Sequence, residues 1–162
     1  MTLIKSGVPS RDELSTVIPP RQKLEKGPVV VVECFQEIPC NPCETACKQE
    51  AIRVPNINDI PIVDHELCNG CSLCISKCPG LAIFVIDETY SPNEVLVKIP
   101  YEFLPLPEEG DIVTALDREG KVLGDARVLK VQDGKYQDRT AVISITVAKD
   151  FSMEVRNIKV RG

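Results

Sequence analysis

All eight cysteines of this 162-residue chain fall between positions 34 and 78, and more than half of the chain contains none. An even number of cysteines is typical of small secreted domains with disulfides. Charges and prolines interrupt the N-terminal segment, however, so no apolar signal core is visible there. Crowded cysteines without an export signal favour a metal site in a reducing compartment, and we expect a cytoplasmic location.

The second part of the cysteine-rich segment is CNGCSLCISKCPG, residues 68 to 80, a C-x2-C-x2-C-x3-C-P run. In iron–sulfur proteins, three cysteines at this spacing surround one cluster, and the fourth, followed by proline, reaches another cluster. Gly70 suits a tight loop with a positive φ, and Pro79 prevents a helix from continuing through Cys78. Zinc held by two C-x2-C pairs is the alternative, but it leaves Cys74 and Cys78 without a role.

An internal repeat relates the two parts of this segment. A shift of 31 residues superimposes CETACKQEAI on CISKCPGLAI, and it places Cys40, Cys43 and Cys47 on Cys71, Cys74 and Cys78. In this register the leading Cys68 corresponds to Glu37. The first copy has its nearest cysteine at Cys34, three residues too early, and Cys34 corresponds to His65.

Three hypotheses account for Cys34. It is a displaced ligand, if the loop that follows bulges outward, and Pro39 and Pro42 keep that loop non-helical. Alternatively, the site has three cysteines and loses an iron or uses another ligand. In the third hypothesis Cys34 is a plain buried thiol at a strand end. We interpret His65 as a polar residue of the loop before Cys68 rather than as a ligand.

These cysteine runs resemble the bacterial-type dicluster ferredoxins over roughly residues 29 to 88. The resemblance implies two [4Fe-4S] clusters, because in that family two runs related by a pseudo-twofold axis exchange their fourth cysteines. One cluster would be held by Cys34, Cys40, Cys43 and Cys78, and would be [3Fe-4S] if Cys34 is not a ligand. The other would be held by Cys47, Cys68, Cys71 and Cys74. The family fold also implies two short helices after the runs and strands near 29–32, 52–54, 61–63 and 83–86. Besides the displaced leading cysteine, Lys48 departs from the family by replacing its usual proline.

A narrower resemblance concerns the string IPCNPCETAC behind a polar N-terminal arm. It is similar to the small iron–sulfur subunit of bacterial flavin-dependent dehydrogenases for amines or imino acids, of the opine, hydroxyproline and sarcosine type. The resemblance implies a hetero-oligomeric complex with one or more FAD-containing dehydrogenase subunits.

The C-terminal part alternates apolar and polar residues in five short runs, EVLVKI, DIVTAL, ARVLKV, AVISITV and MEVRNIKV. Turn sequences such as REGK and QDGK separate them. We therefore predict an α+β chain, with a dicluster ferredoxin-like domain followed by a small antiparallel β-barrel or sandwich. The predicted domains are an extended or disordered arm over 1–28, the ferredoxin domain over 29–90 and the β domain over 91–162. PYEFLPLPEEGD is predicted to be a link, because its prolines exclude a central strand.

Several function classes are disfavoured. The net charge of −5 and the pI near 5.0 argue against a nucleic-acid partner, and no run approaches the roughly 18 apolar residues of a membrane helix. The C-terminal part has no histidine, cysteine or glycine-rich phosphate loop, so we expect no catalysis by the chain alone. Lys48, Arg53 and Lys77 lie near cysteines in the sequence but receive no specific role.

The predicted function is an electron-transfer subunit that relays single electrons from a flavoprotein dehydrogenase to an acceptor. A free-standing ferredoxin with an accessory β domain is the alternative, and a cluster-based sensor is a third hypothesis.

Overall fold

The computed structural model describes residues 2–162, which form four short α-helices, nine β-strands and two 3-10 turns. The helices are α1 (Leu3–Ser6), α2 (Arg11–Ser15), α3 (Arg21–Leu24) and α4 (Pro42–Ala46). The strands are β1 (Val29–Val32), β2 (Ile52–Arg53), β3 (Ile62–Val63), β4 (Ile83–Asp87), β5 (Glu94–Tyr101), β6 (Ile112–Leu116), β7 (Val122–Gln132), β8 (Ala141–Ala148) and β9 (Asn157–Lys159). The 3-10 turns cover Ile75–Lys77 and Lys149–Phe151.

Seven strands form one antiparallel sheet in the order β1-β4-β5-β8-β7-β6-β9, and β2 pairs with β3 in a separate ribbon. β-Branched residues dominate the most buried strands, VVVV in β1 and AVISITVA in β8, as expected where side chains pack on a pleated surface. Because β4 pairs with β5, the cysteine-rich part and the C-terminal strands share one sheet and one hydrophobic core. The predicted domain boundary at residues 90/91 lies in the turn between these two strands, and the division itself stays a prediction.

The predicted barrel or sandwich is found only in part. Among residues 2–162 the edge strands β1 and β9 do not pair, so no closed barrel forms. Side chains bridge the two ends of the sheet instead. Glu33, directly after β1, accepts hydrogen bonds at 2.9 Å from Arg118 Nε in the β6–β7 hairpin and at 2.8 Å from Arg156 Nε before β9. We call these three residues the Glu33 latch.

The Glu33 latch is a buried, charged network. The side chains of Glu33 and Arg156 are only 9% and 4% exposed. Burial alone would raise the pKa of Glu33, but the hydrogen bond and charge of Arg118 and the charge of Arg156 hold it below its usual value. Burial lowers the pKa of Arg156 to about 10, against the opposing effect of Glu33. Both groups are therefore charged at neutral pH.

The N-terminal arm, which we predicted to be extended or disordered, contains the short helices α1, α2 and α3. A capping box begins α2, in which Ser10 and Glu13 each bond the other's backbone N–H through their side chains. Leu24 of α3 is buried in the core, and Arg21 Nη1 donates to Glu88 Oε2 at 2.5 Å. The arm is therefore packed on the sheet.

The predicted link PYEFLPLPEEGD begins within a strand, which corrects the sequence-based assignment. Pro100 and Tyr101 are the last residues of β5 and pair with β8. β4 pairs with β5 only over Leu96–Lys98, so the other side of the strand is unpaired at Pro100. A proline, which has no N–H to donate, is tolerated at such a position.

Candidate iron–sulfur centre

The 31-residue repeat reappears as a pseudo-twofold relation in the backbone. The β1–β4 pair Val32↔Ile83 and the β2–β3 pair Ile52↔Val63 are equivalent under the same shift. At the end of each pair, an N–H donates across the repeat at 2.7 Å, from Glu33 to Ala82 O and from Asp64 to Ala51 O. The strands lie where the ferredoxin resemblance implied them.

Each half presents its last cysteine in the same way. α4 ends before Cys47 and the 3-10 turn Ile75–Lys77 ends before Cys78. The short helices therefore lie within the cysteine runs, whereas the ferredoxin resemblance implied helices after the runs. The chain then turns through a left-handed residue, Glu50 at φ 54° or Leu81 at φ 53°. The next N–H donates to the cysteine sulfur, Ala51 to Cys47 Sγ at 3.3 Å and Ala82 to Cys78 Sγ at 3.4 Å.

Cys34 and Cys43 lie within electrostatic range of the same two thiols, those of Cys40 and Cys78. Burial and the charges of Cys78 and Cys40 raise the pKa of the Cys34 thiol. Burial, together with the same two neighbours, raises the pKa of Cys43 to about 11. The structure thus brings Cys34 close to Cys40 and Cys78 in spite of its early position. We call Cys34, Cys40, Cys43 and Cys78 the first group. Cys34 also borders a cleft of about 520 Å³.

The second group contains the other four cysteines, and a cavity of about 20 Å³ is lined by Cys47, Cys68, Cys71 and Cys74. Burial, followed by the charges of Cys68, Cys47 and Cys71, raises the pKa of Cys74 to about 12. The N–H groups of Val30 and Gly70 both donate to Cys68 Sγ, each at 3.4 Å. Gly70 has φ 70° and lies against Pro28, so an added Cβ would be 2.5 Å from Pro28 Cβ.

The chemistry of both groups fits an iron–sulfur cluster. The raised pKa values of Cys34, Cys43 and Cys74 show that the thiolate form is unfavourable at these positions without a cation, and bound metal deprotonates a coordinating thiol outright. Backbone N–H groups directed at the sulfurs are the outer contacts that tune such clusters. Among residues 2–162, no three His, Cys, Asp or Glu side chains converge closely enough to hold a single metal ion.

His65 is not brought to the first group. Burial lowers the pKa of His65. The charged groups that also affect this pKa are Asp64, Lys23 and Glu66, and no described cysteine is among them. Its Nε2 is enclosed and has no hydrogen-bond partner among residues 2–162. This arrangement agrees with a polar residue of the loop.

Two residues of the C-terminal part, Tyr136 in the β7–β8 loop and Lys98 in β5, reach the second group and were not predicted from the sequence. Lys77 donates to the carbonyl of Tyr136 and lies 4.0 Å from the centre of its ring, whereas Lys48 and Arg53 are exposed. Lys98 of β5 lies within electrostatic range of Cys71. A lysine inside the apolar strand EVLVKI was a signal for Lys98, but nothing in the sequence distinguished Tyr136.

Comparison with known proteins supports the ferredoxin assignment. Residues 61–84 match the family described as "4Fe-4S binding domain". The chain is 34% identical over 64 residues to an uncharacterised ferredoxin of Methanocaldococcus jannaschii, covering 40% of this chain and 38% of the relative. It is 36% identical over 52 residues to the ferredoxin-type protein NapF of Escherichia coli, covering 30% of this chain and 32% of the relative.

A longer similarity, 28% identity over 119 residues, relates the chain to Protein Pixie of Drosophila melanogaster. It covers 60% of this chain but only 18% of the relative, so the chain spans about a fifth of that protein's length. No solved structure matches the chain. Among the described residues, no helix is long and apolar enough to span a membrane. The family match and the ferredoxin relatives therefore support an iron–sulfur domain of the 4Fe-4S ferredoxin type in this chain.

Proposed function

We propose that the chain carries two [4Fe-4S] clusters and is the electron-transferring subunit of a flavoprotein dehydrogenase complex. In this proposal Cys34, Cys40, Cys43 and Cys78 hold the first cluster, and Cys47, Cys68, Cys71 and Cys74 hold the second. The observation that supports it most is the grouping of the thiols around two centres related by the repeat, with Cys34 near Cys78 and Cys74 near Cys47.

The chain's own residues would set how easily each centre accepts an electron. A [4Fe-4S] cluster with four thiolates cycles between net charges of −2 and −3 and so carries one electron. The apolar walls around the cysteines disfavour the more negative state, while N–H groups such as those of Ala51 and Ala82 favour it by donating to sulfur. Two such centres in one small fold would let a reduced flavin pass its two electrons singly.

Support for a flavoprotein partner comes from the string IPCNPCETAC and from the folded arm. The arm and the C-terminal strands extend the surface well beyond the cysteine-rich part, and a freely diffusing carrier has no need of either. We propose FAD-containing dehydrogenase subunits as partners, in a cytoplasmic complex without nucleic acid, with substrate chemistry outside this chain.

A free-standing ferredoxin is the second candidate. It is favoured by the relatives that are named ferredoxin or ferredoxin-type protein, which match the chain over 52 to 64 residues. In this case the C-terminal strands would serve stability, and the chain would exchange electrons with several unrelated enzymes.

Affinity purification from the native host under anaerobic conditions separates the two candidates. We expect about eight irons and eight acid-labile sulfides per chain, together with a co-purifying protein that contains FAD. The isolated chain should oxidise no amino or imino acid. Stoichiometric zinc without sulfide would contradict the clusters. A loaded chain that elutes alone, and is reduced quickly by several reductases, would favour the free ferredoxin.

A further inference from the structure

We propose that the surface around Cys71 is the docking surface for an acidic electron-transfer protein. The surface consists of Cys71, Lys77, Lys98, Lys130 and Tyr136, and we call it the Cys71 surface. This inference rests on the proposed electron-transfer function and adds to it the place of exchange and the charge of the partner.

Cys71 marks the most accessible edge of the two cysteine groups. It is the one cysteine of the eight whose side chain is exposed, since Cys43, Cys68 and Cys74 are buried and the other four are partly buried. The rate of electron transfer falls steeply with the distance between donor and acceptor. A partner that docks over Cys71 would therefore approach the second cluster more closely than at any other cysteine.

Two lysines flank this edge on the face of the large sheet. Lys98 of β5 and Lys130 of β7 both pair with Ser144 of β8, so the three side chains lie in one row on the same face. Lys98 lies within electrostatic range of Lys130, Cys71 and Asp87. Lys98 is thus close to both Lys130 and Cys71.

A third lysine, Lys77, lies beside the same edge and is held there by Tyr136 of the β7–β8 loop. Lys77 donates to the carbonyl of Tyr136, and its Nζ lies 4.0 Å from the ring centre. The hydroxyl of Tyr136 in turn donates to Leu73 O at 3.0 Å. Leu73 lies between Cys71 and Cys74 in the sequence. Tyr136 remains 41% exposed, so an aromatic side chain and a fixed ammonium group face an approaching partner.

The charge of this surface is opposite to that of the whole chain. The chain has a net charge of −5, whereas the Cys71 surface contributes three ammonium groups. Asp87 is the acidic side chain within electrostatic range of Lys98. Charged clefts and patches steer oppositely charged partners and raise their association rates. An acidic docking face on the partner is therefore the complementary chemistry. The competing explanation is that the lysines only offset the negative charge of the second cluster.

The test uses the cluster-loaded full-length chain, reduced with dithionite and freed of excess reductant. Its reoxidation is followed by stopped flow with ferricyanide, an anionic oxidant, and with hexaammineruthenium(III), a cationic one. A Lys77→Gln/Lys98→Gln/Lys130→Gln variant is compared with a Lys5→Gln/Lys26→Gln/Lys121→Gln variant, which loses the same charge elsewhere. Acidic flavodoxin and basic cytochrome c serve as protein acceptors, and iron content confirms loading.

We expect the first variant to react about tenfold more slowly with ferricyanide and flavodoxin, and faster with hexaammineruthenium(III) and cytochrome c. The control should change each rate by less than about twofold, and the differences should shrink in 0.5 M salt because screening is then strong. If the first variant loses iron, Lys130→Gln alone, at an exposed side chain, should show the same opposite effects at about twofold.

Two results would overturn the docking surface while leaving electron transfer intact. One is equal behaviour of the two triple variants. The other is a change in the same direction with both small oxidants, which would mean that the lysines set the potential of the cluster rather than attract a partner. A loaded chain that accepts no electrons from dithionite would instead overturn the proposed function, and the docking surface with it.

Discussion

The two halves of the repeat share a backbone but not an environment. Both end a short helix before a cysteine, turn through a left-handed residue and donate an N–H to sulfur. The first half, however, adjoins the Glu33 latch and an open cleft, while the second is closed by Pro28 against Gly70 and flanked by lysines. The repeat thus positions the thiols, whereas residues outside it, from Pro28 to the C-terminal strands, make the two centres different.

The exchange of the last cysteines gives the strongest test of this comparison. Cys78→Ser should damage the first cluster and Cys47→Ser the second, because each thiol lies with the opposite half. Each variant should lose up to about half of its iron, roughly four atoms per chain. Iron analysis and electron paramagnetic resonance of the reduced protein would show which signal remains. If both variants lose the same signal, the exchange is wrong.

The leading cysteines should differ less drastically. Cys34→Ser is expected to leave a three-iron centre with three cysteines, visible by electron paramagnetic resonance of the oxidised protein, and the second cluster should be unchanged. Cys68→Ser should be more disruptive, because Cys68 is buried and accepts two N–H groups. An unchanged spectrum and iron content in Cys34→Ser would show that Cys34 is not a ligand.

Removing the charge of the Glu33 latch should affect the stability of the whole sheet. Glu33→Gln leaves two largely buried guanidinium groups without their carboxylate, which costs about 3–5 kcal/mol. The thermal midpoint of the loaded protein should fall by roughly 6–20 °C at a fixed scan rate. The matched control is Glu119→Gln, whose partner Lys121 is 69% exposed, so its effect should stay below about 1 kcal/mol.

The same variant has a defined pH dependence. The pKa of Glu33 is lower in the folded chain than its usual value of 4.5, so its stabilisation is present above that value and is lost as the pH falls further. The difference in thermal midpoint between wild type and Glu33→Gln should be constant from about pH 7 to pH 5 and shrink below about pH 4.5. A difference that persists undiminished at pH 4 would contradict this account.

The smallest effect is expected at the close contact that only the second half has. Gly70→Ala places a Cβ 2.5 Å from Pro28 Cβ at a left-handed φ, and we expect a loss of about 2–3 kcal/mol. Its counterpart in the first half is Pro39. The control Gly80→Ala meets only Cys78 Sγ, at 3.9 Å. Thermal midpoints would be compared, and equal values for the two variants would remove this difference between the halves.

The local structure around the cysteines could be predicted from the sequence because the repeat is local. The strands near 29–32, 52–54, 61–63 and 83–86 are found at Val29–Val32, Ile52–Arg53, Ile62–Val63 and Ile83–Asp87. The helix α2 was missed although its capping box, Ser10 and Glu13, is legible in the sequence.

Long-range contacts could not be predicted in this way. The Glu33 latch joins residues separated by 85 and 123 positions, and hydrophobic periodicity contains no information about such partners. The continuity of β4 with β5 was missed for a related reason. The turn between them reads as a boundary in the sequence, while the pairing depends on which edge of the sheet remained open.

The separation of Glu33 from Arg156 has a consequence for the order of events during synthesis. At about 5–20 residues per second, Cys78 leaves the ribosome's catalytic centre about 2–9 s after Cys34, but Arg156 follows Glu33, 123 positions away, only after about 6–25 s. A nascent chain therefore has every thiol of its first centre before it can neutralise the carboxylate beside them. We expect iron delivered in this interval to meet a site in which the Glu33 latch has not yet formed. Stable cluster loading should therefore follow the completion of the chain.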